Sequence, residues 1–310
     1  MGKTAFIFPG QGAQYAGMGK DFYENFKTSK ETYDKAEELL GMDIKNLCFE
    51  ENPLLNITRY TQPAMAVTCL AMLAAVKELE FLPDYYAGLS LGEYPAVIAS
   101  GAISFEEGIP LVKARGELME SAVPEGKGGM AAVLGLDTKV IEEVLAKGQG
   151  AVGIANYNCP GQTVISGEKE ALTQISEELT KAGAKRVLPL NVSGPFHSPM
   201  LKEAGEALLE KLKAVNVNSP VIPYTANVDA KVVRTGDTIR DSLSRQVYSS
   251  VRWEECVRTL LAEGVDLFVE IGPGKTLAGF LKKIEKEALV VNIEKTADLE
   301  KLKEALHARG

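Results

Sequence analysis

The chain has 310 residues, of which 45% are hydrophobic and 25% charged, a composition typical of a globular protein with a large core in one domain or two. Its formal net charge of -8 argues against nonspecific nucleic-acid binding, which needs clustered cations to displace counterions from phosphates. The four cysteines are widely separated, without a CxxC pair or a Cys/His cluster, so the sequence predicts neither a disulfide framework nor a metal site.

No segment of the sequence has the pattern of a signal peptide or a membrane span. The apolar run near the N-terminus is interrupted by Pro9 and Gly10 and is too short for a signal-peptide core. The longest apolar stretch, 63–76, is too short to cross a bilayer and predicts a buried helix. We therefore expect a cytoplasmic protein that makes no membrane contact.

The first part of the chain alternates strands and helices, which predicts an α/β protein with a mainly parallel sheet. A polar, glycine-rich segment, 124–129, is predicted to end this part. The predicted elements before it are a strand at 4–8, helices at 17–41 and 62–80, a strand at 84–87, and helices at 91–100 and 104–122.

A Gly-X-Ser-X-Gly pattern, Gly88-Leu89-Ser90-Leu91-Gly92, joins the strand at 84–87 to the helix at 91–100. In a nucleophile elbow of this kind a strained turn exposes the serine, and side chains at the two glycine positions would clash. The alternative is a glycine-flanked serine in an ordinary turn between a strand and a helix. The elbow interpretation makes Ser90 the nucleophile of an α/β-hydrolase-like domain and makes the backbone N–H of Leu91 an oxyanion donor.

A second oxyanion donor has to come from another loop at the carboxyl edge of the sheet. Gln11 is the candidate, because Phe8-Pro9-Gly10-Gln11-Gly12 leaves the first strand and its glycines let the backbone approach a ligand. A glutamine in a surface turn is the equally weighted alternative.

Two glycine motifs resemble nucleotide-binding loops but are incomplete. After Gly10 and Gly12, the third glycine position of a dinucleotide fingerprint is Tyr15. Before Gly274-Lys275-Thr276, the first glycine position of a phosphate-binding loop is Val269. We therefore predict no nucleotide cofactor.

After the glycine-rich segment the predicted order becomes β-α-β-β-α-β, the split ferredoxin-like unit. We predict a ferredoxin-like subdomain at 127–193, inserted in a large α/β-hydrolase-like catalytic domain formed by 1–126 and 194–310. The predicted elements of the insertion are strand 130–136, helix 138–147, strands 151–156 and 163–166, helix 169–182 and strand 186–192. The elements that follow are helix 199–214, strand 221–225, helix 253–263, strand 266–271, a Gly-Pro-Gly turn into another helix, and strand 288–293.

The chain has only two histidines, and one of them, His307, lies near the C-terminus. A serine nucleophile needs a base, and an imidazole base is then His197. His197 lies in a Pro-rich loop where the chain returns to the large domain. A structural or surface histidine is the alternative interpretation.

Arg115 lies in the predicted helix 104–122, next to Gly116 on a largely apolar face. A guanidinium can bind a carboxylate through two parallel hydrogen bonds, a geometry that lysine cannot reproduce. Met119, one turn later, shares this helix face. The alternative is a solvated arginine whose stem covers apolar surface.

Six motifs, in order over essentially the whole chain, resemble those of the malonyl-CoA:acyl carrier protein transacylases. The motifs are Phe8-Pro9-Gly10-Gln11-Gly12, Gly88-Leu89-Ser90-Leu91-Gly92-Glu93-Tyr94, Arg115 in its helix, Val164-Ile165-Ser166-Gly167, Gly194-Pro195-Phe196-His197-Ser198 and Glu270-Ile271-Gly272-Pro273-Gly274.

This resemblance implies a ping-pong reaction that supplies fatty acid synthesis. The malonyl group passes from coenzyme A to Ser90, and from Ser90 to the phosphopantetheine thiol of an acyl carrier protein. His197 would be the base, and the backbone carbonyl of Gln246 would orient its imidazole. The enzyme would need malonyl-CoA as substrate but no cofactor, and we expect a monomer.

The resemblance also assigns the groups around the acyl chain. Gln11 and the N–H of Leu91 would form the oxyanion hole, and Arg115 would hold the free carboxylate of the malonyl group. Phe196 is similar to the malonyl-selective pattern of related acyltransferase domains, where a smaller residue accompanies methylmalonyl use. Met119 is the further predicted substrate-binding residue.

Three alternatives stay open at this point. A stand-alone acyltransferase of a polyketide synthase would use the same chemistry with another carrier. A serine hydrolase or thioesterase would share Ser90 and His197 but would give Arg115 no carboxylate to bind. A non-catalytic module that binds the carrier is the third.

Overall fold

The computed structural model describes residues 2–124, 126–148 and 150–309, so Glu125 of the predicted glycine-rich segment lies outside the described residues. Its strands are β1 (Lys3–Phe8), β2 (Tyr85–Gly88), β3 (Gly128–Leu134), β4 (Val152–Cys159), β5 (Gln162–Glu168), β6 (Arg186–Pro189), β7 (Tyr224–Thr225), β8 (Val232–Val233), β9 (Val265–Ile271) and β10 (Leu289–Ile293). Its α-helices are α1 (Lys20–Asn25), α2 (Lys27–Leu40), α3 (Ile44–Phe49), α4 (Thr58–Lys77), α5 (Glu93–Ala99), α6 (Phe105–Ser121), α7 (Thr138–Lys147), α8 (Lys169–Lys181), α9 (Lys202–Lys213), α10 (Ile239–Gln246), α11 (Trp253–Ala262), α12 (Thr276–Ile284) and α13 (Asp298–His307).

The main sheet has six strands in the order β10-β9-β1-β2-β7-β8, and only the β7–β8 pair is antiparallel. Its central strand β1 is apolar on both faces because helices cover the sheet on both sides. Phe6 and Phe8 pack into one core cluster, and Ala5 and Ile7 pack into the other. The carboxyl ends of β1 and β2 lie side by side, with Phe8 paired to Gly88, so the loops that follow these two strands meet at one edge of the sheet.

The small sheet has the order β4-β5-β3-β6 and is antiparallel throughout. Successive side chains of β3 point to opposite faces of the small sheet, so its two faces have different packing partners. Ala131 and Val133 pack in a core with α7 and α8, whereas Met130 and Ala132 pack against the core of the main sheet. The predicted α/β fold with a parallel sheet and a second, ferredoxin-like sheet is confirmed. The domain boundaries at 126/127 and 193/194 stay a prediction.

Several predicted elements differ from the structure. The single helix predicted at 17–41 is wrong, because Phe26 has an extended backbone that separates α1 from α2 while its ring packs against Phe22. The strand predicted at 186–192 ends at Pro189. The helix predicted at 91–100 begins instead with a 3₁₀ turn at Ser90–Gly92. The helices α3, α10 and α13 were not predicted.

None of the helices within the described ranges combines the length and the apolar character needed to cross a membrane.

Candidate active site

Ser90 lies at the end of β2, in a turn that has the geometry of a nucleophile elbow. Its backbone is left-handed, with φ of 52°, which is uncommon for a residue other than glycine. A Cβ at Gly88 would overlap the backbone carbonyl of Gly92, and a Cβ at Gly92 would overlap the backbone carbonyl of Phe8. Both glycines are therefore required by close backbone approach, which is the reason that the sequence pattern supplied.

The structure brings His197 to the elbow serine from a distance of 107 residues along the chain. The Nε2 atom of His197 lies 2.7 Å from the Oγ of Ser90, and Nδ1 lies 2.8 Å from the backbone carbonyl oxygen of Gln246. A carbonyl oxygen only accepts, so Nδ1–H donates to it and Nε2 is left free to accept the proton of Ser90. The arrangement can therefore deprotonate a serine during nucleophilic attack.

The surroundings of His197 keep its imidazole neutral. Burial and the nearby positive charge of Arg115 lower the pKa of His197 to about 4, while the Gln246 carbonyl opposes this shift by accepting from the ring. At neutral pH the ring is therefore in the form that accepts a proton.

Arg115 of α6 is almost completely buried and lies next to the nucleophile. Its Nη2 donates to the Oγ of Ser90 over 3.3 Å and to the side-chain oxygen of Gln246 over 2.8 Å, and its Nη1 donates to the side-chain oxygen of Gln62 over 2.7 Å. The guanidinium also lies 5.1 Å from the ring centre of Tyr94. Within the described part of the chain no carboxylate forms an ion pair with Arg115, so neutral oxygens, two of amides and one of a hydroxyl, accept from this buried cation.

Asn227, from the loop after β7, braces the elbow from behind. Its Oδ1 accepts from the backbone N–H of Ser90 over 2.7 Å, and its Nδ2 donates to the backbone carbonyl of Gly88 over 2.8 Å. One buried side chain thus satisfies backbone groups on both sides of the strained turn.

We expect the Asn227→Ala substitution to lower both stability and activity. It leaves the buried N–H of Ser90 and carbonyl of Gly88 without partners, which costs about 2 to 4 kcal/mol of the free energy of unfolding. Relaxation of the elbow displaces the nucleophile, and we expect kcat to fall about 100-fold. Denaturant unfolding and steady-state kinetics measure the two effects. Asn227→Asp still accepts from Ser90 but cannot donate to Gly88, so its stability and kcat should lie between those of the wild type and of Asn227→Ala. Normal activity of Asn227→Ala would contradict a role of Asn227 in positioning the nucleophile.

The predicted residues meet in one cavity of about 230 Å³ between the main sheet and the small sheet. The predicted site residues on its wall are Ser90, His197, Arg115, Gln11, Leu91, Met119 and Phe196. Gln246 is fully buried behind His197 and Arg115. The side chain of Gln11 donates to Thr58 over 3.1 Å, so a role in binding an oxyanion falls to its backbone N–H.

A second cavity, of about 800 Å³, adjoins the first along the small sheet. Both cavities are lined by Met130, Leu190 and Val192, so an extended ligand can run from one into the other.

Sequence reasoning missed the polar residues that hold the site together: Gln62, Asn227 and Glu93. Glu93 carried the strongest signal, because it is an acidic residue at the start of a short and otherwise largely apolar helix. Asn227 follows the end of a predicted strand, where polar residues of α/β proteins face the ligand edge.

A serine and histidine pair on a nucleophile elbow of an α/β fold defines an enzyme of the acyl-transfer or hydrolase type. The family model of the acyl transferase domain matches residues 5–304. The malonyl CoA-acyl carrier protein transacylase of Bacillus subtilis is 43% identical over 97% of this chain and 96% of its own length.

Solved structures give the same result. The malonyl CoA-acyl carrier protein transacylase of Clostridium perfringens superposes with a TM-score of 0.95 and 44% identity over 99% of this chain and 98% of its own. A malonyl-transacylase in complex with its type II PKS acyl-carrier protein has a TM-score of 0.95 and 38% identity over 98% of this chain and 99% of its own. The chain belongs to the malonyl CoA-acyl carrier protein transacylase family of acyltransferases. The family resemblance predicted from the six motifs is thereby confirmed.

Proposed function

We propose that this chain transfers the malonyl group of malonyl-CoA to the phosphopantetheine thiol of an acyl carrier protein through a malonyl ester of Ser90. The observation that carries the proposal is the position of Arg115, whose Nη2 lies 3.3 Å from the Oγ of Ser90. In a malonyl ester the carbon of the free carboxylate is three bonds beyond Oγ, a reach of about 4 Å. A carboxylate at that distance meets the guanidinium that otherwise donates only to neutral oxygens.

The first half-reaction acylates the enzyme. The Oγ of Ser90 attacks the thioester carbonyl while Nε2 of His197 takes its proton, and the backbone N–H groups of Leu91 and Gln11 stabilise the oxyanion. Collapse of the tetrahedral intermediate breaks the C–S bond, and His197 returns the proton to the sulfur of coenzyme A. The carbonyl of Gln246 holds the imidazole in the required tautomer throughout.

The second half-reaction reverses these roles. The thiol of the carrier gives its proton to His197 and attacks the ester carbonyl, and Ser90 leaves with that proton. Each half-reaction exchanges one thioester or ester for another, so no oxidant, reductant or cofactor takes part.

Two apolar residues on the cavity wall complete the proposed acyl-binding site. Met119 packs one helical turn from Arg115, where its sulfur accepts from the Gln62 amide over 3.5 Å, and Phe196 precedes the base. We propose that their bulk restricts substitution on the malonyl C2 carbon, with the modest selectivity, about 1 to 3 kcal/mol, that one methyl group provides.

We propose a carrier of fatty acid synthesis as the acceptor. A type II PKS carrier is the second candidate, because one similar structure is a malonyl-transacylase bound to such a carrier. Comparing kcat/KM for the two holo-carriers decides between them. We further propose that the enzyme acts in the cytoplasm as a monomer, and sedimentation equilibrium checks the oligomeric state.

Intact-protein mass spectrometry after brief incubation with malonyl-CoA and no carrier tests the proposed reaction. We expect wild-type protein to gain the mass of one malonyl group, because with no carrier thiol present and malonyl-CoA in excess over the released coenzyme A the ester of Ser90 accumulates. The Ser90→Ala protein should gain none. Steady release of coenzyme A with no adduct would indicate hydrolysis instead, and an adduct on Ser90→Ala would place the nucleophile elsewhere.

A further inference from the structure

Glu93, the residue that follows the elbow, is a completely buried carboxyl group that the proposed reaction does not use. Its Oε2 accepts from the side-chain amide of Gln246 over 2.6 Å and from the backbone N–H of Asn227 over 3.1 Å. The other oxygen, Oε1, is buried and has no hydrogen-bond partner within the described residues. An acidic group is costly at such a position, so its presence there calls for a role.

Gln246 connects Glu93 to the base, to Arg115 and to the nucleophile residue of the proposed active site. Its backbone oxygen accepts from His197, and its side-chain oxygen accepts from Arg115. Its side-chain nitrogen donates to the backbone oxygen of Ser90 over 2.9 Å and to Glu93.

The orientation of the Gln246 amide matters because its two ends have opposite hydrogen-bonding character. Arg115 only donates, so it needs the amide oxygen, and a reversed amide would turn N–H groups toward the guanidinium. The carboxyl group of Glu93 accepts at the opposite end over the shorter distance and, together with the backbone oxygen of Ser90, fixes the NH₂ there. Gln62 holds the other Nη of Arg115 in the same way, so two amide oxygens together set the plane of the guanidinium.

This acceptor function does not depend on the charge of Glu93. Burial raises the pKa of Glu93 to about 7, against the hydrogen bonds from Gln246 and Asn227, which lower it. The carbonyl oxygen of a protonated carboxyl group still accepts, so the amide of Gln246 stays oriented in either state.

We propose that Glu93 is a positioning residue that acts through the Gln246 amide to hold Arg115 in register with the free carboxylate of the acyl group on Ser90. The inference rests on the proposed function. It makes Glu93 a determinant of acyl selectivity, because loosening Arg115 harms a carboxylated acyl group more than an uncharged one.

The test compares malonyl-CoA with acetyl-CoA as donors to a holo-carrier. Glu93→Met has a similar volume but no acceptor, and we expect kcat/KM for malonyl-CoA to fall about 10- to 100-fold, the usual effect of losing an outer partner of a binding group. The malonyl to acetyl ratio should fall by about tenfold. Glu93→Gln retains an acceptor and should restore most of the malonyl activity and the ratio. Ser242→Ala is the control, because Ser242 is buried on the same helix as Gln246 and its hydroxyl has no partner among the described residues.

A double-mutant comparison tests whether Glu93 acts through Gln246. Gln246→Met keeps the backbone carbonyl that orients His197 but removes the amide, so adding Glu93→Met to it should cause little further loss of the ratio. Losses that multiply, or a Glu93→Met protein with the wild-type ratio, would overturn the proposal. If Glu93→Met does not fold by circular dichroism, Glu93→Asp withdraws the acceptor by one methylene and should lower the ratio in the same direction, and an unaltered ratio there would overturn it. Failure of wild-type protein to form the malonyl adduct would instead reject the proposed function.

Discussion

Arg115→Ala is expected to lower kcat/KM for malonyl-CoA by about 1,000-fold, close to 4 kcal/mol, because the free carboxylate loses a buried, charge-assisted partner. The same substitution should increase the relative use of acetyl-CoA. In the wild-type protein an acetyl group leaves the buried guanidinium without a counter-charge, and this cost disappears when the cation is removed. Steady-state kinetics with the two donors and one carrier measure the change in the ratio.

Arg115→Lys separates charge from geometry. Lysine keeps the positive charge but cannot donate at once to Gln62, Gln246 and a carboxylate, so we expect it to recover only part of the malonyl activity. Thermal unfolding of each variant is needed as a control, because both substitutions strip partners from buried amide oxygens. Equal losses with malonyl-CoA and acetyl-CoA would contradict the carboxylate-binding role.

The parts of the site that could be predicted from sequence are those set by local backbone geometry or by the small number of residues that could fill a role. Gly88 and Gly92 predicted the elbow because no larger residue fits where the two backbone segments approach each other. His197 followed from the absence of another internal histidine. The contact between the elbow serine and His197 depends on the topology. The chain leaves the main sheet, forms the small sheet and then returns to the elbow, where it places His197.

The bracing network could not be predicted because its members share no local pattern. Asn227 contacts Ser90 across 137 residues, and Gln246 contacts Glu93 across 153. An amide or carboxyl group in a sequence shows neither its burial nor its partner, and only the assembled core makes its hydrogen bonds obligatory. The break between α1 and α2 is similar, because Phe26 has ordinary helix-compatible chemistry and its extended backbone is set by packing in the core.

The acid limb of the pH profile is expected near pH 4 in the free enzyme, well below the value of about 6.5 for an ordinary histidine. Burial and the charge of Arg115 disfavour the imidazolium, which lowers the pKa of His197 to about 4. As the pH falls through that value the base becomes protonated, and kcat/KM for acetyl-CoA should decline by about tenfold per pH unit. Arg115→Met removes the nearby charge, so its acid limb should lie at higher pH. Glu93, with a pKa of about 7, stays mostly protonated over the range from about pH 3 to 6 in which the two profiles are compared.

The bound acyl group should itself shift the acid limb of the pH profile, because it changes the pKa of His197. This shift gives a test that needs no substitution. A bound malonyl carboxylate neutralises Arg115 and so favours the imidazolium of His197, whereas a bound acetyl group leaves the repulsion in place. Both donors exclude water from the site, so this effect on the pKa of His197 is the same with malonyl-CoA and acetyl-CoA. The rate of Ser90 acylation at saturating donor, measured by rapid quench, should therefore lose activity at a higher pH with malonyl-CoA than with acetyl-CoA. Coincident limbs would mean that the carboxylate binds away from Arg115, because no charge placed against that guanidinium can leave the neighbouring imidazole unaffected.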